Sequence, residues 1–442
     1  VEQPFIDVER HWTMCGAASI SNFQILQLWN FDADRRSLSA SQWRRRMKAL
    51  VWHGIKNVRV ESVPDPEILA PTDVILEITC TAICGSDLHL YDGYAPMMKS
   101  GDILGHEFAG VVVETGKDIK RLKKGNRVVV PFVIACGACS FCKEGKHALC
   151  ENTNPDADRL TKLTAFPTAG LFGYSHLYGG YPGGQAEYVR VPFADVGALV
   201  LPDGISEKHA LFLSDIFPTG YMAAENCEIQ KGQTIAVWGC GPVGQFAIKS
   251  ALMLGAGQVI AIDRFAERLA LAAKSGAIPI NYEKADVEEE LFKLTDRKGP
   301  HACIDAVGME AHGHTPDALF DQVLQTIRVE FDRSNALRQI IRLCRNGGVV
   351  SIPGVYLGFV DRFPLGVAFG KGLTFKMGQT HVQRYLQPLL ERIQNNEIDP
   401  EFVISHDLSL DAAADAYKMF AEKRDSCTKF VLHPKMATAI AA

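Results

Sequence analysis

The spacing of apolar positions changes character twice along the chain. From residue 47 to about 215, short β-rich runs alternate with turn signals: Val74-Ile-Leu-Glu-Ile-Thr-Cys80, Gly110-Val-Val-Val-Glu-Thr-Gly116, Arg127-Val-Val-Val-Pro131 and Ala186-Glu-Tyr-Val-Arg-Val191. Short strands at regular intervals predict a barrel-like β domain. From about 217 to 355 strands alternate with helical stretches. Thr234-Ile-Ala-Val-Trp-Gly239 reads as a strand, 243–254 as a helix, and Gln258-Val-Ile-Ala-Ile-Asp263 as a second strand; Ala302-Cys-Ile-Asp-Ala-Val307 and Gly348-Val-Val-Ser-Ile352 read as later strands. That alternation predicts parallel βαβ units in a doubly wound α/β sheet. From 356 to 442 the texture is mixed again, with helices expected over 382–395 and 410–422 and a final strand, Lys429-Phe-Val-Leu432. There is no internal repeat.

Residues 1–46 follow neither pattern. They hold Trp12, Trp29 and Trp43 and end in Trp43-Arg44-Arg45-Arg46. No apolar core is followed by a small-residue cleavage site, so a secretory signal is not expected. The folded part of the chain is expected to begin near Met47. The preceding segment is left open as a start-site artefact, a processed leader or a poorly ordered arm.

At 442 residues two domains are the default. Apolar content of 47% and charged content of 22% are those of a globular protein. A net charge of −5 argues against a nucleic-acid partner. No apolar run approaches the roughly 18 residues a membrane span needs. Of twelve cysteines, Cys15, Cys80, Cys227, Cys240, Cys303, Cys344 and Cys427 are scattered, mostly in apolar runs, and are expected as small buried core residues. Reduced thiols imply a cytoplasmic compartment.

Cys136-Gly-Ala-Cys139-Ser-Phe-Cys142, followed by Cys150, is different. Four thiolates can close a tetrahedral zinc shell with no open position, which marks a structural site. Chemistry is then expected elsewhere.

A nucleotide site is indicated by Gly239-Cys-Gly241-Pro242-Val243-Gly244, a G-x-G-x-x-G run between a predicted strand and a predicted helix. Gly239 permits a tight turn, Gly241 lets a pyrophosphate approach the backbone, and Gly244 lets the helix pack on the strand. Asp263, at the end of the next strand, can accept the ribose hydroxyls of NAD and would repel the phosphate of NADP. Arg264 and Arg268 leave two readings open, stacking on adenine or accommodating a 2′-phosphate; NAD is the favoured cofactor.

A second constellation is Cys84-Gly-Ser86-Asp87-Leu-His89 with Gly105-His106-Glu107. A thiolate and an imidazole are zinc ligands, and a catalytic zinc needs a third ligand and an open position. The best candidate is Asp215, in Leu213-Ser-Asp-Ile-Phe-Pro-Thr-Gly220; a helix cap is its competing reading.

Together these motifs, with Gly110, Gly116 and Asp305-Ala-Val-Gly308, resemble the zinc-dependent medium-chain alcohol dehydrogenases from Met47 to about Pro434. Gly183-Gly-Gln-Ala-Glu-Tyr-Val189, the segment around Asp215, Val307-Gly-Met-Glu-Ala-His-Gly313 and Ile352-Pro-Gly-Val-Tyr356 resemble the formaldehyde-dehydrogenase-like branch, in which an Asp takes a zinc position. A longer segment at about 309–346 matches that branch too. The resemblance implies a GroES-like β-rich catalytic domain (47–216 and 356–442, with a zinc lobe at 131–154) plus a Rossmann NAD-binding domain (217–355).

The resemblance also implies roles. Cys84, His106 and Asp215 would hold the catalytic zinc, and Cys136, Cys139, Cys142 and Cys150 the structural one. Glu107 would either exchange with the solvent ligand or balance charge. Ser86 and His89 would relay the proton, and Asp87 would orient His106. Thr219, Val307 and the backbone near Pro353 would shape the nicotinamide pocket. Tyr91, Tyr94, Phe172 and Tyr356 are open between pocket lining and packing, while His312, His314 and His381 read as loop or interface residues. Gly85 stands where liver-type relatives carry a basic side chain near the pyrophosphate, so that contact is missing or comes from another residue. The expected activity is hydride transfer between NAD and a small-molecule alcohol, aldehyde or formaldehyde adduct. Polyol or secondary-alcohol oxidation is the alternative on the same scaffold, and a non-catalytic zinc and nucleotide-binding protein is the remote one. A homo-oligomer, tetramer before dimer, is expected.

Overall fold

The computed structural model describes residues 46–308, 335–356, 360 and 362–436. The expected N-terminal arm, His312 and His314 lie outside them, as does most of the 309–346 segment. The first strand, Arg46–Gly54, turns back through Ile55 and Lys56 into Asn57–Pro64 and pairs with it antiparallel, with Asp102–Ile103 on its other edge.

A larger sheet follows the order Leu199–Val200, Arg127–Val130, Glu107–Thr115, Val74–Ile83, Phe430–His433, His406–Ser409, and Tyr188–Val191 also pairs with Val74–Ile83. Its pairings are antiparallel except the last, so the chain's end closes the β domain. Alternate residues of these strands, among them Leu76, Ile78, Phe108, Val128 and Val130, turn inward onto Phe172 and Val189. Period-two burial of this kind is what one apolar face requires.

The second sheet is parallel throughout: Ile278–Asn281, Gln258–Asp263, Thr234–Trp238, Ala302–Asp305, Val349–Ile352, Thr374–Met377. Both faces are covered. Ile235, Val237, Val259 and Ala261 pack on Ala247, Ile248 and Ala251 of the helix Pro242–Met253. Ala236, Trp238 and Ile260 pack on the other side against Leu337, Ile340 and Ile341 of Asn335–Leu343. This is why those strands read as continuous apolar runs.

The structure moves some expected boundaries. The parallel sheet passes residue 355, because Thr374–Met377 adds a sixth strand at its edge. That strand is short, and Thr374 and Met377 are exposed, so its apolar pattern is weak. The strand from Ala302 stops at Asp305, whose Oδ1 accepts the Val307 and Gly308 N–H groups at 3.0 and 3.1 Å and turns the chain. The stretch 410–422 divides into a turn, Leu410–Ala412, and a helix, Ala413–Ala421.

The helices Ile216–Glu225 and Pro242–Met253 join the two sheets. Gly220 lies so close that a Cβ there would sit 2.6 Å from the Phe246 Cβ. Phe246 in turn stacks on Phe217 with ring centroids 4.9 Å apart and meets Phe402 edge-on at 5.1 Å. Phe217 and Phe246 thus lie in one core with Cys80, Ala82 and Phe430 of the antiparallel sheet. Among the described residues no helix is long and apolar enough to cross a membrane, and all eleven described cysteines are free.

Candidate active site

A cleft of about 830 Å³ runs between the two sheets. Cys84, Ser86, His89, His106 and Asp215 line one end, and Gly239, Gly241, Asp263, Arg264 and Arg268 the other. Thr219, Pro242, Val243, Val307 and Pro353 line it as well, whereas Gly244 packs beneath the loop.

Each reactive side chain is delivered by the end of an element. Cys84 follows the strand Val74–Ile83 and caps the helix Gly85–Tyr91. His106 precedes the strand Glu107–Thr115, and Gly105 before it adopts φ +97°, a conformation that suits glycine. Asp215 sits at the junction of Phe212–Ser214 and Ile216–Glu225, yet its side chain does not cap the helix. Its Oδ1 accepts from the Thr219 hydroxyl at 3.0 Å, and its Oδ2 lies 3.3 Å from His106 Nε2 and 3.5 Å from Cys84 Sγ.

Ligand atoms of Cys84, His106, Glu107 and Asp215 all lie within 4.8 Å of one another, and all four residues are buried. Burial first, then the Asp215 charge, pushes the Cys84 thiol up to about 11. Burial opposes a charge on His106, but Asp87 and Asp215 outweigh it and raise its pKa well above 6.5. Burial likewise opposes ionisation of Asp215, and His106 more than offsets that to hold its pKa low. A buried thiol, imidazole and carboxylate at this spacing compete for protons. That competition, and the donor set itself, fit a divalent zinc ion, which displaces protons from its ligands.

Asp87 sits under two of these residues. Its Oδ2 accepts the Cys84 N–H at 2.9 Å, and its Oδ1 lies 3.0 Å from His106 Nδ1. Gln185 Nε2 reaches the same carboxylate at 3.4 Å and takes a bond from the Tyr417 hydroxyl on its oxygen at 2.9 Å. Ser86 Oγ is 3.3 Å from His106 Nε2, and His89 lines the cleft, buried.

Glu107 holds a partner that sequence reasoning missed. Lys429 Nζ pairs with its Oε1 at 2.6 Å, and both side chains are completely buried. The signal available was a single lysine in the apolar terminal stretch and a single glutamate beside His106. Pocket aromatics were partly missed too. Phe132 and Tyr174 join Phe172 in the cleft wall. Tyr91 packs on Tyr417 instead, and Tyr356 donates to Asp305 Oδ2 at 2.7 Å. Tyr94 is not among the lining residues.

At the other end, Gly239 takes φ +85°, and a Cβ on Gly244 would collide with the Gly239 carbonyl oxygen. Over Gly241 the space is open; only Arg268 Nη1 comes within 4 Å of a Cβ placed there, at 3.8 Å. Asp263 Oδ2 accepts the Cys240 N–H at 2.7 Å, and Oδ1 accepts Arg264 and Phe265 N–H groups at 2.6 and 3.0 Å. Arg264 and Arg268 each lie 4.7 Å over the Phe265 ring.

The four sulfurs of Cys136, Cys139, Cys142 and Cys150 form a separate group, also within 4.8 Å of one another. Burial opposes a thiolate at Cys136, but the Ala138 and Cys139 amides, 3.4 Å from its sulfur, win and lower its pKa to about 6. Four sulfurs at this spacing, with backbone N–H groups meeting those of Cys136 and Cys150, suit a closed zinc shell. His381, a member of neither ligand group, accepts the Ala148 N–H on its Nδ1 at 3.3 Å.

Residues 70–203 match the family described as alcohol dehydrogenase GroES-like domain, and residues 242–329 the one described as zinc-binding dehydrogenase. An uncharacterized zinc-type alcohol dehydrogenase-like protein, AdhB of Bacillus subtilis, is 39% identical over 391 residues, covering 88% of this chain and all of that protein. The chain belongs to the zinc-type alcohol dehydrogenase family. Its β domain is the GroES-like part of such an enzyme, and the two cysteine-containing clusters are groups that can hold the family's zinc. This chain is also 34% identical to the glutathione-independent formaldehyde dehydrogenase of Bacillus subtilis, covering 88% of this chain and 97% of that protein. The solved alcohol dehydrogenase TADH from Thermus sp. ATN1 superposes with a TM-score of 0.74 at 34% identity, covering 88% and 99% of the two chains.

Proposed function

We propose that this chain is a zinc- and NAD-dependent oxidoreductase that moves a hydride between NAD and a small alcohol, or a formaldehyde hydrate or adduct. One observation carries the reading: the Cys84–His106–Asp215 group and the glycine-rich loop open into the same cleft. Zinc held by Cys84, His106 and Asp215 would supply a Lewis acid for the substrate oxygen.

The chain's own groups do the rest. Asp87 fixes the His106 ring, so Nε2 faces the cluster. Three anions, Cys84, Glu107 and Asp215, match a divalent ion plus the Lys429 ammonium, which supports charge balance as the role of Glu107. Ser86 would take the alcohol proton as its own hydroxyl proton leaves toward His89, which lines the same cleft and would pass a proton on toward solvent. Phe132, Phe172 and Tyr174 keep water away and favour a small, largely apolar substituent. Gly241 leaves room for a pyrophosphate, and buried Arg268, whose Nε has no hydrogen-bond partner among the described residues, is placed to meet its charge. That supports Arg268 as the basic contact that Gly85 cannot make. Asp263 presents negative charge where NADP would carry its phosphate. Free thiols fit a cytoplasmic site of action.

The test is a panel of methanol, ethanol, a secondary alcohol, sorbitol and formaldehyde with NAD or NADP, with and without glutathione, read as NADH absorbance. Turnover of a primary alcohol or formaldehyde with NAD supports the reading. Turnover confined to sorbitol or the secondary alcohol moves it to the polyol alternative, and no turnover with any pair rejects it.

A further inference from the structure

We propose that Thr380, acting through the hydroxyl of Thr219, decides which oxygen of Asp215 faces Cys84 and His106. The inference rests on the zinc reading of that site and deepens it. Thr380 is buried and follows the edge strand Thr374–Met377 of the parallel sheet. Its Oγ1 lies 3.0 Å from Thr219 Oγ1, which lies 3.0 Å from Asp215 Oδ1.

Hydrogen counting sets the direction of this chain. An ionised carboxylate only accepts, so Thr219 must donate its single hydroxyl hydrogen to Asp215. Thr219 then has only lone pairs left for Thr380, so Thr380 must donate to Thr219. Serial bonds of one direction polarise each other and strengthen toward the charged end. Asp215 Oδ1 is thereby occupied, and Oδ2 alone faces His106 Nε2 at 3.3 Å and Cys84 Sγ at 3.5 Å. A carboxylate held this way offers one oxygen to a metal, and the open position that a reactive zinc needs is preserved.

Thr380 is itself held from outside the site. Next to it, His381 accepts the Ala148 N–H at 3.3 Å, and Gln383 Nε2 donates to the Val133 carbonyl at 2.7 Å. Val133 and Ala148 both lie in the four-cysteine lobe, Ala148 between Cys142 and Cys150. The segment 380–383 therefore ties that lobe to Asp215 through Thr380 and Thr219, which also line the cleft. Thr380 is a positioning residue in this scheme, and outer partners of metal ligands typically tune affinity about 10- to 100-fold.

The experiment compares wild type, Thr380→Val, which keeps the shape and removes the hydroxyl, and Thr380→Ser, which restores it. Zinc affinity at the reactive site is read by chelator competition, and cobalt substituted there reports its ligand geometry by visible absorption. Thr380→Val should weaken affinity about tenfold and shift the cobalt bands, with the lobe zinc retained; Thr380→Ser should return both to wild-type values. Thr219→Val should reproduce Thr380→Val, and it serves as the second variant if Thr380→Val folds poorly. Unchanged affinity and bands in Thr380→Val, or a Thr380→Ser that behaves like it, overturn the role of Thr380. A wild type that binds a single zinc per chain fails differently, because it removes the zinc reading itself.

Discussion

Replacing Lys429 by Met should be among the most damaging single changes in the catalytic domain, although it touches neither zinc ligand nor cofactor loop. Lys429 and Glu107 are wholly buried, and their charges meet at 2.6 Å. At an effective dielectric near 20 the gross attraction at this separation is about 6 kcal/mol, most of it spent on desolvating both ions. Methionine keeps the apolar stem of the side chain but leaves Glu107 with an uncompensated charge, which costs about 3–5 kcal/mol. At roughly 2–4 °C per kcal/mol for a domain of this size, the melting temperature should fall by roughly 6–20 °C. The assay is a double-mutant cycle with Glu107→Gln, using melting temperature and urea midpoint. The double variant should be less damaged than the sum of the singles by about 2 kcal/mol or more. Burial pushes the Glu107 pKa up and Lys429 opposes it, so the carboxyl in Lys429→Met binds a proton that the unfolded chain releases above about 4.5. The deficit should therefore narrow as pH falls from 7 toward 5. Additive singles, or a deficit that does not change with pH, would refute the electrostatic account and leave packing as the cause.

Two further changes address the nucleotide end and the zinc lobe. Asp263→Ser should shift the ratio of kcat/KM for NADP over NAD by roughly 10- to 100-fold toward NADP, since it removes a like charge from the 2′-phosphate position; some loss with NAD is also expected because Asp263 binds the Cys240 amide, and an unchanged ratio speaks against ribose selection there. His381→Gln concerns acid stability. Burial lowers the His381 pKa to about 4 from 6.5, so below 6.5 the unfolded chain binds a proton that the folded chain refuses. Wild-type stability should fall between pH 6.5 and 4, by on the order of 1 kcal/mol after allowance for partial exposure. His381→Gln should flatten that slope in thermal melts across the interval, while an identical slope means that other groups set it.

What the sequence discloses about this site depends on whether a residue carries its meaning in its type. Cys84, His106 and the glycine-rich loop do, because few other arrangements need those atoms at that spacing. Asp215 could be weighed only against a helix cap, and the structure removes the cap by giving its oxygens to Thr219 and to the cluster. Lys429 and Thr380 were illegible: their partners lie 322 and 161 positions away, and a single lysine or a single threonine has no pattern of its own. Aromatic lining was half legible: Tyr91 ends the helix Gly85–Tyr91 and packs on Tyr417 while Tyr174 lines the cleft, and ring type alone does not separate the two. The sixth parallel strand escaped because a sheet edge has little apolar content to display.

The account stands on a reactive zinc at Cys84, His106 and Asp215, separate from the four-cysteine lobe. Zinc per chain in purified wild type and in Asp215→Ala tests this most directly. We predict two zincs in the wild type, and one, at the lobe, in a folded Asp215→Ala that has lost alcohol turnover. A wild type with one zinc, or an Asp215→Ala variant that keeps both zincs and full activity, would contradict it.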